Sequence, residues 1–413
     1  MFKENMDWKY RIRKPEMGTQ LNWEIYFPPG LATWATENVK RLLDEIKLPN
    51  QPLIRLRTFT EKLKLENANS HQIAYLYEYG HFLRDIRLVI AKNDNWRTSS
   101  SDTEAEMQKV IESAIPIAKK LFKADDNVKD TKIRNALHGS YFETEITVTI
   151  SLFGEFAYLR GIKAPLSTSA PVPEDLAHAL LLYTKQFAEW DETLNTFLYL
   201  PFAGTGTFGT EWTLMQESTP THSLPKKTIF QDFSFYPEKT IAHYQKSKLA
   251  EVNKRKTNQF WLDTDPALLA YQKKELQNWE KFFKSKIHWH LATGDFFRVN
   301  EPLEISEMDL SDIEEFGVFL PINPPYGFRK NERPTNDDTL YAELGGKIQQ
   351  LGDYFRNRKK KALKQFAGFI LCPTEEKWLL VRNHLKGFSQ KTIHVTHGGI
   401  DLRVLFFDFK NQF

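Results

Sequence analysis

Apolar and polar positions along the first 160 residues follow the patterns of mixed strands and helices. The periodicity predicts these elements in chain order: strand 23–27, helix 31–46, helix 73–91, helix 107–122 and strand 142–152. Thr36 is a candidate start for the first helix. The sequence shows no βαβ fingerprint here, so we expect an α+β arrangement. Residues 1–20 are polar without a clear period, and we expect a loose tail there.

The pattern changes after residues 164–171, where small, uncharged residues and prolines predict a linker. The elements predicted beyond it are helix 174–187, strand 196–200, helix 209–215, strand 259–262, helix 266–283, strand 287–293, strand 316–321, helix 340–358, strand 366–372 and a hairpin over 392–409. Such alternation is typical of a mostly parallel, doubly wound sheet, here ending in an antiparallel hairpin. The sequence therefore predicts an α/β domain at 170–413, an α+β module at 21–165 and a tail at 1–20.

Length and composition limit the classes of protein. The chain has 413 residues, and its 56 Lys and Arg against 53 Asp and Glu leave a net charge of +3. This balance excludes a polycation, although a local basic patch stays open. Cys372 is the single cysteine and the 11 histidines show no metal-binding spacing, so we expect neither disulfides nor a metal. No apolar run is long enough for a membrane span, and we expect a cytoplasmic protein with no membrane partner.

A glycine-containing turn follows the predicted strand 196–200. Its residues are Pro201, Phe202, Ala203, Gly204, Thr205 and Gly206. Two glycines let the backbone approach a ligand closely at the carboxyl edge of a parallel sheet. No Gly-Lys-Ser/Thr follows, and the glycine spacing differs from the dinucleotide fingerprint. Taken alone, the segment is compatible with a cofactor loop and with a structural turn.

Three aspartates follow the next two strands of the domain. Asp263 ends the second strand, where a carboxylate can accept hydrogen bonds from a ribose, and we assign it that role. Asp265 precedes Pro266 and is assigned to the helix cap. Asp295 ends the third strand, where it is suited either to an adenine amino group or to a turn.

The segment Asn323-Pro324-Pro325-Tyr326 follows the predicted strand 316–321. Two prolines make this turn rigid and remove amide donors from it. The Asn323 oxygen and a proline carbonyl can accept both hydrogens of a planar amine while the ring of Tyr326 stacks on the base. This arrangement directs the nitrogen lone pair at an electrophilic methyl group and needs no strong base. A surface turn is the alternative interpretation.

Together these motifs resemble the S-adenosylmethionine-dependent amino-methyltransferases of the Rossmann-like class. Residues 27–31, 75–87, 154–161 and 398–403 are similar to segments of the bacterial large-subunit (23S) rRNA guanosine methyltransferases. The resemblance implies an α/β, Rossmann-like class I methyltransferase domain preceded by an α+β ferredoxin-like and THUMP module. It further implies methylation of N2 of a guanosine in structured RNA, with S-adenosyl-L-methionine as the cofactor.

The resemblance also implies roles for individual residues. Cofactor contact is expected at Pro201, Phe202, Ala203, Gly204, Thr205, Gly206, Asp263, Asp295 and Phe296, and catalysis at Asn323, Pro324, Pro325 and Tyr326. RNA contact is expected at Arg160 and Lys163. The basic run Lys254, Arg255 and Lys256 adds candidates, because each phosphate contact contributes salt-dependent affinity.

Two positions depart from the family pattern. Leu200 stands where the family has Asp, and Ile162-Lys163 stands where it favours Tyr-Arg. An adenine N6-methyltransferase acting on RNA or DNA, a transfer-RNA guanosine methyltransferase, and a catalytically silent RNA-binding or assembly protein therefore stay open as alternatives.

Overall fold

The computed structural model divides the chain into two compact units. One contains residues 1–161 together with 218–251, and the other contains 162–217 together with 252–413. The structure describes the whole chain except residues 1–7, 47–52, 95–102, 124–128, 155–159, 163–170, 252–256, 283–287, 299–314, 327–336, 358–361 and 411–413. None of the described helices is both long and apolar enough to cross a membrane.

The N-terminal unit is built on an antiparallel sheet. Its elements are β1 Tyr10–Arg11, β2 Leu21–Tyr26, α1 Ala32–Glu45, β3 Arg55–Thr58, β4 Lys62–Ala68, α2 Ser70–Tyr79, β5 Asp85–Asn93, α3 Thr103–Lys119, α4 Asp130–Ala136, β6 Leu137–Phe142 and β7 Glu145–Ser151. The strand order is β3-β4-β2-β5-β7-β6, and β1 pairs with β5 inside the segment expected to be a loose tail. The order β3-β4-β2-β5 within a β2-α1-β3-β4-α2-β5 succession is that of a ferredoxin-like unit.

The single helix predicted over 73–91 is wrong. Helix α2 begins after Asn69, whose side chain accepts from the backbone of Gln72 in a capping box, and it ends at Tyr79. Gly80 closes the helix by donating its N–H to the carbonyl of Leu76. Strand β5 then follows, with residues buried on both faces. A strand buried in this way reads as a continuous apolar run, which hides its two-residue period.

Helix α1 begins four residues before the start that Thr36 suggested. The Thr36 hydroxyl lies inside the helix and donates to the carbonyl of Ala32 at 2.7 Å. The predicted linker lies outside the described residues apart from Pro171.

The C-terminal unit has the predicted parallel architecture. Its elements are α5 Glu174–Phe187, β8 Asn195–Leu200, α6 Thr207–Gln216, β9 Thr257–Asp263, α8 Pro266–Phe282, β10 His288–Thr293, β11 Glu315–Ile322, α9 Asp337–Asn357, β12 Ala362–Cys372, α10 Glu375–His384, β13 Ser389–His397 and β14 Ile400–Lys410, while α7, Glu238–Glu251, belongs to the other unit. The sheet order is β10-β9-β8-β11-β12-β14-β13. The first five strands are parallel and the last two form the antiparallel hairpin, as the sequence predicted.

Residues 218–251 depart from the contiguous boundaries expected from the sequence. This segment lies between α6 and β9 in the chain but packs into the core of the N-terminal unit. Phe230, Phe233 and Phe235 are fully buried there, with the rings of Tyr77 and Phe230 5.2 Å apart. The Glu78 carboxylate accepts hydrogen bonds from the backbone N–H and the Nδ1 of His222 at 3.0 and 2.7 Å.

We expect a fragment of residues 162–413 to fail to fold cooperatively. Without residues 1–161 the rings of Phe230, Phe233 and Phe235 lose their packing partners, and each such ring contributes about 1.5–3 kcal/mol when buried. The matched control is the same fragment with residues 218–251 replaced by a Gly/Ser linker, which removes those rings. Near-ultraviolet circular dichroism during a thermal scan measures the unfolding of both fragments. A cooperative transition of the unmodified fragment at the full-length melting temperature would contradict the division into units.

Candidate functional site

The carboxyl ends of four parallel strands bring the predicted site segments to one edge of the sheet. Leu200 of β8 lies beside Trp261 of β9, and Asp263 at the end of β9 lies beside Thr293 of β10. On the other side, β8 pairs with β11. The glycine-containing turn, Asp263, Asp295 and Asn323 therefore follow neighbouring strands. The order of connection reverses between β8 and β11, which is where open α/β sheets bind ligands.

The turn after β8 requires glycine at position 206 for two reasons. Gly206 has a φ of +74°, a left-handed conformation that favours glycine. A Cβ at this position would also lie 2.1 Å from the ring of Trp261, which is 1% exposed. Gly204 has a φ of +53°, but a Cβ there would meet no atom within 4 Å. The turn thus packs on Trp261 at one glycine and is open at the other.

Side chains from β9 and α8 hold the peptide groups of Gly204. The backbone N–H of Gly204 donates to Oδ2 of Asp263 at 2.8 Å, and its carbonyl accepts from Nε2 of Gln272 at 2.6 Å. Gln272 is 1% exposed, and its Oε1 has no hydrogen-bond partner among the described residues. Gln272 is not among the site residues predicted from the sequence; the available signal was a polar residue at a buried position of α8.

The two aspartates after β9 have different roles. Oδ1 of Asp265 accepts from the backbone N–H of Ala267 at 2.8 Å, which confirms its assignment to the helix cap. Each carboxylate oxygen of Asp263 accepts one backbone N–H, from Gly204 and from Asp265. A carboxylate offers about four acceptor positions. Asp263 therefore retains lone pairs for a further donor, and its ribose role stays a prediction.

The segment after β10 is organised as a turn. Oδ1 of Asp295 accepts from the backbone N–H of Phe297 at 3.0 Å, and its Oδ2 lies 3.4 Å from Nε of Arg298. Phe296 is 2% exposed and packs against Tyr199, with the two ring centroids 5.8 Å apart. The structure thus places the Phe296 ring in the core and gives Asp295 the turn role that the sequence left open.

The turn after β11 joins Asn323 and Tyr326 directly. The Tyr326 hydroxyl donates to Oδ1 of Asn323 at 2.6 Å. Burial, and next the nearby Cys372 thiol, raise the pKa of Tyr326 above its ordinary value, so the phenol stays a donor at alkaline pH. Pro324 is buried and Pro325 is exposed. The sequence predicted a role for the ring of Tyr326 but none for its hydroxyl, which orients the Asn323 amide.

Leu200 and one of the predicted RNA-binding residues, Arg160, are buried. Leu200 is 3% exposed at the end of β8. Arg160 is 4% exposed, and its guanidinium donates to the carbonyl of His81 within the N-terminal unit. This burial gives Arg160 a structural role and argues against an RNA contact. Lys163 and the run 254–256 lie outside the described residues. No cluster suited to a metal ion occurs among the residues that the structure describes.

Comparison with known proteins agrees with this geometry. Residues 162–357 match the family model described as "RMKL-like, methyltransferase domain". The match covers slightly less than half of the chain, and this segment is similar to the methyltransferase domain of that family. It spans the turn after β8, both acidic strand ends and the Asn323–Tyr326 segment, so every predicted cofactor and catalytic position falls inside it.

Relatives and solved structures extend the likeness. The chain is 23% identical over 286 residues to the ribosomal RNA large subunit methyltransferase K/L of Hydrogenovibrio crunogenus, which covers 62% of this chain but only 35% of that protein. SMU.472, a methyltransferase by its description and solved with S-adenosylhomocysteine, superposes with a TM-score of 0.61 at 13% identity, covering 96% of this chain and 100% of that one. A possible methylase from Clostridium difficile 630 gives 0.60 at 16% identity, covering 96% and 99%. At these identities the structural likeness establishes the fold.

Proposed function

We propose that the protein transfers a methyl group from S-adenosyl-L-methionine to N2 of a guanosine in large-subunit ribosomal RNA. The observation that carries this proposal is the hydrogen-bonded pair of Asn323 and Tyr326 after β11, one strand away from the glycine turn after β8. The methyltransferase domain supports the reaction class, and the named activity of the Hydrogenovibrio relative supports the RNA substrate.

The residues at the strand ends fit the proposed cofactor. Open space at Gly204 lets a ligand approach the backbone of the turn, and Asp263 retains acceptor positions for the two ribose hydroxyls. The buried Oε1 of Gln272 is a further acceptor without a described partner. When bound, the cofactor supplies an electrophilic methyl group. Gln272 and Asp263 hold Gly204 from opposite ends of its peptide groups, which preorganises the turn before binding.

Asn323 and its neighbours can position the exocyclic amine of the guanine, and the reaction then needs no general base. The Asn323 oxygen accepts one hydrogen bond from Tyr326, and its second lone pair stays open to an amine hydrogen. The carbonyl of Pro324 can take the other hydrogen, while the Tyr326 ring stacks on the base. Holding both hydrogens favours the tetrahedral nitrogen needed in the transition state. The flipped base loses a few kcal/mol of stacking, which the ring and the amine contacts offset.

Leu200 favours a second candidate, an RNA-binding or assembly protein that does not transfer methyl groups. The residue is a buried leucine at the strand end where the resembled family carries Asp. A missing carboxylate beside the glycine turn removes one acceptor for a cofactor. Measurement of cofactor binding separates this candidate from the enzyme.

We expect micromolar affinity for S-adenosylhomocysteine, about 8 kcal/mol, and about tenfold weaker binding in Gln272→Met. The substitution removes one buried hydrogen bond to Gly204, worth about 0.5–1.5 kcal/mol. Gln277→Met, an exposed position on the same helix α8, is the matched control and should bind as the parent does. Titration calorimetry measures all three. Absence of binding heat in the parent at millimolar ligand would remove the enzyme, and equal affinities would remove only the role of Gln272.

Replacement of Asn323 by alanine should cut methyl transfer by about 100-fold or more, the usual loss when one transition-state hydrogen-bonding group is removed. RNA and cofactor affinities should stay near the parental values. Tyr326→Ala should additionally weaken capture of the base, because stacking contributes about 1–3 kcal/mol. Tyr326→Phe keeps the ring but releases the Asn323 amide, so we expect an intermediate loss of about tenfold.

Single-turnover methylation at saturating cofactor, beside filter binding at one stated salt concentration, measures these effects. The Tyr326 hydroxyl should stay protonated as the pH rises to 10, because its pKa is raised. Its contribution to the rate should therefore persist across that range. A parental rate in Asn323→Ala would show that the segment is a structural turn.

A further inference from the structure

The sheet of the N-terminal unit has one apolar and one charged face. Helix α3 covers the apolar face, since a Cβ at Gly139 would lie 2.3 Å from the sulfur of Met107. The strand register places ten charged residues together on the opposite face: the cations Arg55, Arg57, Lys62, Lys64, Arg87 and Lys92, and the carboxylates Glu24, Glu66, Asp85 and Glu145. Six cations against four carboxylates leave a net charge of +2. We call this surface the charged sheet face.

An ion pair spans the charged sheet face. Nζ of Lys64 on β4 lies 3.8 Å from Oε1 of Glu145 on β7, although β2 and β5 separate these strands. Three strand spacings of about 4.8 Å place the two backbones about 14 Å apart, a distance that the extended lysine and glutamate side chains bridge together. Strand β5 also carries a register shift between Val89 and Ala91, and such bulges increase local twist.

Arg87 lies at the centre of this face in a fixed orientation. Its Nε donates to Oδ2 of Asp85 at 2.6 Å, and its guanidinium carbon lies 4.2 Å from the centre of the Tyr26 ring. Neither terminal nitrogen has a hydrogen-bond partner among the described residues. A guanidinium held on one edge presents its other edge as a planar fork, which suits two oxygens of a phosphate.

The lysines around Arg87 are incompletely neutralised. Lys62 and Lys64 share Glu24, at 2.9 and 3.9 Å, while Lys64 and Lys92 share Glu145. Three ammonium groups are thus paired with only two carboxylates. Arg55, exposed at the edge strand, has no ion pair within the described part of the chain. The surplus of positive charge is complementary to a polyanion.

We propose that the charged sheet face binds the sugar-phosphate backbone of RNA, with the Arg87 fork on one phosphate and Arg55 and Lys92 on its neighbours. The proposal rests on the proposed function, because it names the surface that holds the RNA substrate. The lysine side chains would contact phosphates along the strand without reading its bases. Binding should therefore be insensitive to sequence and sensitive to salt.

Fluorescence anisotropy with polyuridylic acid and the full-length protein over a range of salt concentrations tests this proposal. The probe contains no guanine, so the result is independent of methylation. Arg55→Gln, Lys92→Gln and Arg87→Gln should each weaken binding and reduce the slope of log affinity against log salt by about 0.7. The matched control is Arg134→Gln on α4, whose partner is Glu112; it should bind as the parent does.

Arg55→Gln and Lys92→Gln keep the test valid if Arg87→Gln, which leaves buried Asp85 unpaired, fails to fold. Parental affinity and slope in both variants would overturn the proposal. Failure of the parent to bind polyuridylic acid, or equal competition by polyglutamate, would also overturn it, the latter by indicating an acidic protein partner. These outcomes leave the proposed reaction standing if the parent binds S-adenosylhomocysteine and Asn323→Ala abolishes methyl transfer.

Discussion

The contact of Trp261 with Gly206, just before α6, and with Gly209, inside α6, fixes the geometry on which the candidate site depends. A Cβ at Gly206 or Gly209 would lie 2.1 or 2.2 Å from the indole, so α6 can approach β9 only because both positions lack a side chain. The indole N–H donates to Gln259, which in turn donates to Thr213 on α6. This network sets the distance between the glycine turn and Asp263. The hydrogen bond from Gly204 to Asp263 follows from that distance.

The chain path connects this geometry to the N-terminal unit. Residues 218–251 leave the C-terminal unit directly after α6 and return directly before β9, the two elements next to the glycine turn and Asp263. Between them the chain contributes three fully buried phenylalanines to the other core. The elements that hold the proposed cofactor are thus covalently flanked by a segment that folds elsewhere, and the two units are joined by three chain crossings.

The sequence predicted the parallel sheet well because its central strands are buried on both faces and alternate with long helices. It missed the edge strand β3 and its neighbour β4, because Arg55, Arg57, Lys62 and Lys64 give these strands a polar composition. The motif residues of the site were predicted by type and position. Gln272 and the Tyr326 hydroxyl were not, since each acts through one long-range or turn-specific hydrogen bond that no local pattern encodes. The sequence also did not show that Arg160 is buried, because its hydrogen-bond partner, the carbonyl of His81, lies far away in the chain.

In the proposed reaction, Asn323 presents a guanine amine of ribosomal RNA for methylation. Mass spectrometry of nucleosides from purified large-subunit RNA tests it most directly, in a deletion strain complemented with the parental gene or with Asn323→Ala. We predict that N2-methylguanosine falls in the deletion strain, returns with the parental gene and does not return with the variant. Unchanged N2-methylguanosine in the deletion strain, with or without a loss of N6-methyladenosine, would contradict the claim.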